Sequence, residues 1–312
     1  MATVSVIIVN WNAAQLLDAC LSSLRGEAAE VVVVDNASAD GSADMVVQNH
    51  PDVRVLRQAR NTGFAGGVNA GAEAATGGHL LFLNPDAEAA PGAVSRLSRF
   101  LDEHPDAAAV AGRLVDADGQ PQHGWNVRRL PTLSNLVSEL LLVDRIWPLN
   151  PWRRRWLSLD VDAAVHAEVE QPAAACLMVR RTAFERVGGF DDRYFPAWFE
   201  DVDFCRRLRS AGGRIWYCPD AVFRHRGGVA RDRLGRTAFA QAWHRNLERF
   251  VRAHHGGGAL LLVKGATVVG MTLRIAACIV SGDGEGARAY SAVIRGTLFG
   301  WRGSGSERPG RS

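Results

Sequence analysis

Cysteine is scarce and unpaired in this 312-residue chain: five residues, Cys20, Cys176, Cys205, Cys218 and Cys278, odd in number, far apart and without a C-x-x-C pair. That spacing signals neither a disulfide framework nor a structural zinc site, and it fits a reducing setting. Excess charge is lacking too. The formal net charge is +3 and dispersed, without the concentrated basic face that nucleic acid requires, so no nucleic-acid partner is expected. No basic leader or small-residue cleavage site precedes the first apolar run, so export through a signal peptide is not expected. No internal repeat is visible, and before the last ten residues nothing in a composition that is 47% apolar resembles disorder. What remains is a globular chain long enough to bury one large core or two modest ones.

Short β-branched runs at residues 4–9 and 31–34 read as buried strands, and Leu16, Leu17, Cys20, Leu21 and Leu24 between them fall at helical spacing. The alternation continues through a strand at 53–56, a helix at 65–75 and a strand at 79–83, followed by a helix near 91–103 and a strand at 108–111. Such a series predicts an α/β fold whose mostly parallel sheet carries helices on both faces, with ligands bound beyond the carboxyl ends of the strands. Those ends are polar: Asn10-Trp11-Asn12, Asp35-Asn36-Ala37-Ser38, Asn61-Thr62-Gly63-Phe64 and Asn84-Pro85-Asp86. Residues 116–171 show no clear periodicity and read as an insertion. A strand at 174–179, a short helix from Thr182, a turn at Gly188-Gly189-Phe190-Asp191, a helix at 200–211 and a strand at 214–218 complete the core.

Glu200, Asp201 and Asp203 lie among Trp198, Phe199 and Phe204. A carboxylate beside apolar surface is costly unless it is paired, bound to metal or used as a base, so this cluster is the strongest candidate for chemistry. Helix capping is the competing explanation, since acids favour a first turn. Further on, residues 259–280 are apolar except for Lys264, Arg274 and small or hydroxyl residues, and from Arg252 onward eight Lys or Arg face three Asp or Glu. Ten helical positions turn through about 1000°, so the two cations share one broad side and are expected to snorkel together from a helix lying in a membrane interface. A buried core helix carries equal weight. The basic aromatic run Trp152-Arg153-Arg154-Arg155-Trp156 suits either an anionic surface or a solvated loop.

In their order along the chain, the 4–12 block, Val34-Asp35-Asn36-Ala37-Ser38-Ala39-Asp40-Gly41, Asn61-Thr62-Gly63-Phe64-Ala65-Gly66-Gly67-Val68-Asn69, Asn84-Pro85-Asp86, and Gly188-Gly189-Phe190-Asp191 through Glu200-Asp201-Val202-Asp203 resemble family 2 glycosyltransferases. The resemblance spans residues 3–228 and is most similar to the rhamnosyltransferase-like branch. It implies the GT-A fold, a Rossmann-like sheet. It also implies a donor site drawn from Val9, Asn10, Asn12, Asp35, Asn61, Gly63, Phe64, Gly67, Asn69, Asn84 and Asp86, with Asp35 receiving the base imide or ribose hydroxyl. Asp201 is implied as catalytic base, with Glu200 and Asp203 orienting the acceptor or the Arg206 and Arg207 pair. Asn84-Pro85-Asp86 stands where the family has its Asp-x-Asp metal motif, with asparagine replacing the first acid. Asp86 and His225 are then the implied ligands of Mg2+ or Mn2+. The serine often found shortly after that histidine is lacking.

The resulting expectation is an inverting hexosyltransferase that moves a sugar from a nucleotide-sugar donor, with dTDP-rhamnose as the narrower case, onto a polyprenyl-linked or polysaccharide acceptor in cell-wall or surface-glycan synthesis. It would work peripherally at the cytoplasmic face of the cell membrane. Residues 1–115 form the expected nucleotide-sugar half, 116–250 the acceptor and catalytic half, 251–302 a helical, membrane-associated region and 303–312 a disordered tail. The missing acid motivates a second reading, a silent nucleotide-sugar-binding scaffold. A dinucleotide oxidoreductase is disfavoured because the G-x-G-x-x-G fingerprint is absent.

Overall fold

The computed structural model describes residues 2–27 and 29–301, so the tail expected at 303–312 lies outside the described residues. The chain divides into two compact units: Met1–Pro131 with Arg154–Pro196 and Glu200–Val229, and Thr132–Arg153 with Ala197–Phe199 and Ala230–Ser312. Strand and helix alternate through β1 (Val4–Asn10), α1 (Ala14–Ser23), β2 (Ala29–Asp35), α2 (Ser42–Asn49), β3 (Arg54–Arg57), α3 (Gly63–Ala74), β4 (His79–Leu83), β5 (Ala87–Ala89), α4 (Ala93–Glu103) and β6 (Ala107–Val115). The chain continues through β7 (Val127–Arg128), α5 (Leu133–Leu140), α6 (Val143–Ile146), α7 (Pro151–Trp156), β8 (Ala167–Val169), β9 (Gln171–Pro172) and β10 (Cys176–Arg180). It ends with α8 (Arg181–Arg186), α9 (Glu200–Ser210), β11 (Arg214–His225), α10 (Val229–Leu234), α11 (Arg236–Ser281) and α12 (Gly284–Phe299).

In the first unit a mixed sheet runs in the order β3-β2-β1-β4-β10-β6-β11-β5, with β8 added beside β11. β1 to β4 are mutually parallel, β10 runs antiparallel between β4 and β6, and β6 and β11 are again parallel. Every residue of β1 is buried. Its alternate side chains serve two cores: Val4, Val6 and Ile8 pack with Leu17 and Leu21 of α1 and Leu97 of α4, while Ile7 and Val9 pack with Val68 of α3 and Phe204 of α9. A strand covered on both faces reads as a continuous apolar run, which is why period-2 alternation is absent from residues 4–9. The parallel register sets Asn10 opposite Asp35 and Ile8 opposite Leu83, so the polar ends of β1, β2 and β4 emerge at one edge.

Two local expectations are revised. Residues 116–171, read as aperiodic, hold α5, started by a capping box in which Thr132 and Asn135 bond each other's backbone N–H. Asn135 takes the place of the usual Glu or Gln, so the signal was easy to miss. The strand expected at 214–218 extends to His225, because β11 shifts register between Cys218 and Val222 and continues along β6.

In the second unit α11 and α12 are joined by a tight turn at Gly282. Gly256, at φ 82° and ψ 179°, breaks the helical path of α11 in a region that side chains rarely adopt. Lys264 and Arg274 do not snorkel: Lys264 Nζ donates to Thr297 O at 2.9 Å and lies 3.4 Å from Glu248, and Arg274 donates to the carbonyls of Leu140 and Glu139. Free helix-end carbonyls are strong acceptors for a buried guanidinium. The opposite side of α11 exposes Leu261, Leu262, Val269, Leu273 and Val280. α11 is long and apolar enough to cross a membrane, although a third of its most apolar stretch (33%) is buried in protein. Ala197–Phe199 belongs to this unit. Asn246 donates to the carbonyls of Ala197 and Trp198, and the Trp198 and Phe199 rings sit edge-on to Phe239 and Trp243. These contacts hold two non-glycine residues at φ 74° and 71°, immediately before Glu200.

Candidate active site

The site is built from the polar end of the sheet. Asp35, at the end of β2, is 4% exposed and accepts from Asn10 Nδ2 (3.3 Å), the Ser38 backbone N–H (3.2 Å) and Ser42 Oγ (3.5 Å). Asn10 also reaches Ser42 Oγ at 2.7 Å, while its own Oδ1 is buried without a partner. Asn12, at φ 53°, takes the Ala39 N–H on its side chain and gives its backbone N–H to Ser38 Oγ. These bonds fasten the β1 and β2 tips together around one buried carboxylate.

The third tip forms the entry to α3. Asn61 Oδ1 accepts the Gly63 N–H at 2.8 Å, Asn36 Nδ2 donates to Gly63 O at 2.9 Å, and Phe64 N donates to Pro196 O. Gly63 has φ +77°, and a Cβ there would stand 2.7 Å from Pro196 O, so both conformation and space demand glycine. Gly67 serves packing: a Cβ would meet Val9 Cγ1 at 2.6 Å, so α3 lies against β1 because this residue has no side chain. Asn69 likewise holds structure, donating to Phe190 O (2.8 Å) and accepting Phe190 N–H (2.9 Å) to clamp the Gly188-Gly189-Phe190 turn.

Beyond β4, Asp86 and His225 meet. His225 Nε2 lies 3.5 Å from Asp86 Oδ1 and 3.4 Å from Asn84 Nδ2, both side chains of the ion pair being 6% exposed. Burial would raise the Asp86 pKa, but the His225 hydrogen bond and charge and the Gly227 N–H (2.9 Å) outweigh it and hold the carboxyl below its usual range. Gln122, which sequence reasoning did not single out, fixes the ring: its Nε2 donates to His225 O at 2.6 Å and its Oε1 stands 2.9 Å from His225 Nδ1. A backbone carbonyl only accepts, so the amide orientation is determined and Nδ1 carries the proton. The Nε2 lone pair then faces the Asn84 amide and the Asp86 carboxylate, and a divalent cation between ring and carboxylate would be held by both. The pair fits a metal on this ground, with Asp86 as hard oxygen donor and the ring orientation preset as metal-bound histidines require.

The acidic cluster opens α9. Glu200 and Asp203 are buried and Asp201 is half-buried. Asp203 is taken up by Arg207 (Nε to Oδ2, 2.7 Å) and by the Tyr194 hydroxyl (3.4 Å), and Arg207 also donates to Val187 O. It therefore meets Arg207 of the pair expected from sequence, through a bond that braces the helix. Glu200 Oε2 is buried with no hydrogen bond, and burial together with the Asp201 charge pushes its pKa well up. Burial raises the Asp201 pKa as well, countered by the Val202 N–H, by the positive field of Arg128 and by the Ala174 amide. Both carboxyls are therefore pushed toward the protonated form, Glu200 the further of the two. Gln171 Nε2 lies 3.4 Å from Asp201 Oδ2. Arg128 also escaped the sequence reading. Its guanidinium stacks on Trp125 (5.1 Å) and Trp156 (5.2 Å), two residues far apart in sequence with no motif to betray the cage.

Asp201 and Asn84 meet neighbouring residues of one segment: the Ala174 amide faces Asp201, and Ala175 O accepts the Asn84 N–H at 3.0 Å. A base candidate and the Asn84-Pro85-Asp86 tip thus flank the same backbone segment. The family model for glycosyl transferase family 2 matches residues 5–188. The chain belongs to this family. As a family 2 glycosyltransferase it is 31% identical over 268 residues to the N-acetylglucosaminyl-diphospho-decaprenol L-rhamnosyltransferase of Mycobacterium tuberculosis, covering 81% of this chain and 85% of that protein. It is 33% identical over 240 residues to the pre-mycofactocin glycosyltransferase of the same organism, covering 76% of this chain and 45% of that one. A mannosyltransferase from Pyrobaculum calidifontis, solved with GDP-Man and Mn2+, superposes with a TM-score of 0.56 at 18% identity over 96% of this chain and 87% of its own. The glycosyltransferase therefore has the GT-A fold that its ordered motifs imply, and it is a hexosyltransferase of the rhamnosyltransferase-like kind.

Proposed function

We propose that this glycosyltransferase transfers a rhamnosyl group, with inversion, from a dTDP-linked donor to a polyprenyl-diphosphate-linked saccharide in glycan synthesis. The observation that carries the reading is the half-buried Asp201, faced by the Ala174 amide one residue before the Ala175 carbonyl that accepts the Asn84 N–H. Asp201 takes the proton of the acceptor hydroxyl as its oxygen attacks the anomeric carbon, and the C–O bond to the diphosphate breaks on the opposite face. Asp35 and Asn10 bind the base and ribose, and the loop from Asn61 to Phe64, tied to the β2 tip through Asn36, borders them. A divalent metal held by Asp86 and His225 would neutralise charge growing on the leaving diphosphate. The stacked Arg128 stands near Asp201 to meet an anionic part of the substrates. Residues 1–115 thus provide the donor half and 116–250 the catalytic and acceptor half.

The acceptor class is supported by the mycobacterial relative's name and by the second unit's surface. That surface exposes Ile146, Trp147 and Leu149 beside Arg145 and Arg153, as well as the apolar side of α11. Tryptophans and cations interleaved with aliphatic residues suit peripheral contact with an anionic cytoplasmic leaflet. Incubation with dTDP-rhamnose and a polyprenyl-diphosphate N-acetylglucosamine, with the product's anomeric configuration read by NMR, tests the reading. The expected product is a disaccharide lipid with the donor's anomeric configuration inverted. Donor binding without transfer across a panel of acceptors would instead establish a silent scaffold. Sedimentation with anionic vesicles, lost on Trp147→Glu, tests the membrane contact.

A further inference from the structure

Away from the strand tips, on the first unit, the antiparallel ladder between β8 and β11 pairs Ile215 with Val169, Trp216 with Glu168 and Tyr217 with Ala167. The next position in that register sets His166 opposite Cys218. Directly opposed residues present their side chains on the same face, and here His166 Nε2 lies 3.4 Å from Cys218 Sγ. Two residues on, after Pro219, Asp220 returns to the same point, with Oδ2 3.3 Å from His166 Nε2. One imidazole nitrogen, one sulfur and one carboxylate oxygen all lie within 4.8 Å of one another.

We propose that His166, Cys218 and Asp220 form a zinc-binding site, separate from the Asp86 and His225 pair. Zn–S and Zn–N bonds of about 2.3 and 2.0–2.1 Å at a tetrahedral angle separate their donors by about 3.5 Å, and Zn–N with Zn–O by about 3.4 Å. The two observed separations match these edges, and the third, between sulfur and carboxylate oxygen, lies within 4.8 Å. The mixed donor set suits a borderline-soft ion and excludes Mg2+ and Ca2+, which take oxygen ligands. Exposed His–Asp pairs are common on surfaces. What sets this one apart is the thiol, 3% exposed, whose sulfur turns toward the pair. On binding, the Cys218 thiol releases its proton to solvent and the sulfur binds as thiolate; no electron is transferred. The three donors open onto a cavity of about 620 Å³ lined also by Arg96, Arg99 and Glu103, which leaves a fourth position for water or an anion. Sequence spacing gives no hint of this site, because His166 and Cys218 are 52 residues apart and meet only across the ladder.

The test is cobalt substitution of the full-length enzyme after dialysis against a chelator. One equivalent of Co2+ is expected to give a thiolate-to-metal charge-transfer band in the near ultraviolet with tetrahedral d–d bands in the visible, and Zn2+ to bleach both. Cys218→Ser should abolish the charge-transfer band, and His166→Ala, at an exposed position that does not threaten folding, should weaken Co2+ binding more than tenfold. Asp86→Ala should leave the band intact. A wild-type protein without the band, or a band that survives Cys218→Ser or is lost in Asp86→Ala, overturns the proposal.

Discussion

The two acidic centres of the first unit are both withdrawn from water, yet their carboxyls are pushed in opposite directions. Asp86 is buried but surrounded by positive partners, His225 and the Gly227 N–H, and is held ionised. Glu200 and Asp201 are buried beside each other, with one Glu200 oxygen unbonded, and both are pushed toward the protonated form. Burial is common to the two, so the partners decide. A carboxylate with donors around it becomes a charge anchor, whereas one left short of donors is driven toward its protonated form.

The sharpest way to break this contrast is to remove the proton acceptor and leave the anchor. Asp201→Asn keeps volume and abolishes basicity, so kcat is expected to fall about 10²–10⁴-fold, the usual contribution of a positioned base. Donor affinity measured by calorimetry should stay within about twofold. A variant with full turnover would take Asp201 out of the mechanism. Conversely, Gln122→Leu leaves Asp201 intact and frees the His225 ring. Metal affinity should drop about 10–100-fold, as when the outer partner of a metal-bound histidine is lost. Gln122→Glu should restore much of it, since a carboxylate still accepts from Nδ1. Equal metal affinity in all three proteins would show that the ring needs no support.

The anchor side was more legible in the sequence than the base side. The tips of β1, β2 and β4 follow from chain-local signals: apolar runs long enough for buried strands, each leading into Asn or Asp. Parallel register then aligns them with no further information, as Asn10 beside Asp35 shows. The cluster at 200–203 was also visible, because acids among aromatics are unusual. The division of labour within it was not, since Asp203 is claimed by Arg207 and by Tyr194 from the preceding loop, while one Glu200 oxygen is left unbonded. Gln122, Arg128 and Gln171 come from the stretch read as an aperiodic insertion. They reach the site through single long-range contacts, such as Gln122 to His225 across 103 positions, and leave no periodicity to read. Lys264 and Arg274 misled for a related reason. Helical phase correctly put them on one side, but it could not say that carbonyls of other helices would meet them.

The smallest expected effect is the most diagnostic of the contrast, because its sign differs between the two centres. Glu200 has a native pKa above its ordinary value of 4.5, so between the two values the folded state binds more protons than the unfolded one, and stability falls as pH rises through that window. Glu200→Gln removes the liability, so its melting temperature should exceed the wild type's at alkaline pH and converge with it below about 4.5. Asp86 has a native pKa below its ordinary 3.8, so its contribution is present above that value and is lost as pH falls through the native pKa. Asp86→Asn should therefore melt below the wild type at neutral pH, by about 1.5–3 kcal/mol for one charge-assisted hydrogen bond, and approach it in strong acid. Melting curves from pH 3 to 9 in metal-free buffer read both variants on one axis. Differences of the same sign would mean that burial alone governs both centres and that the partners around Asp86 are idle.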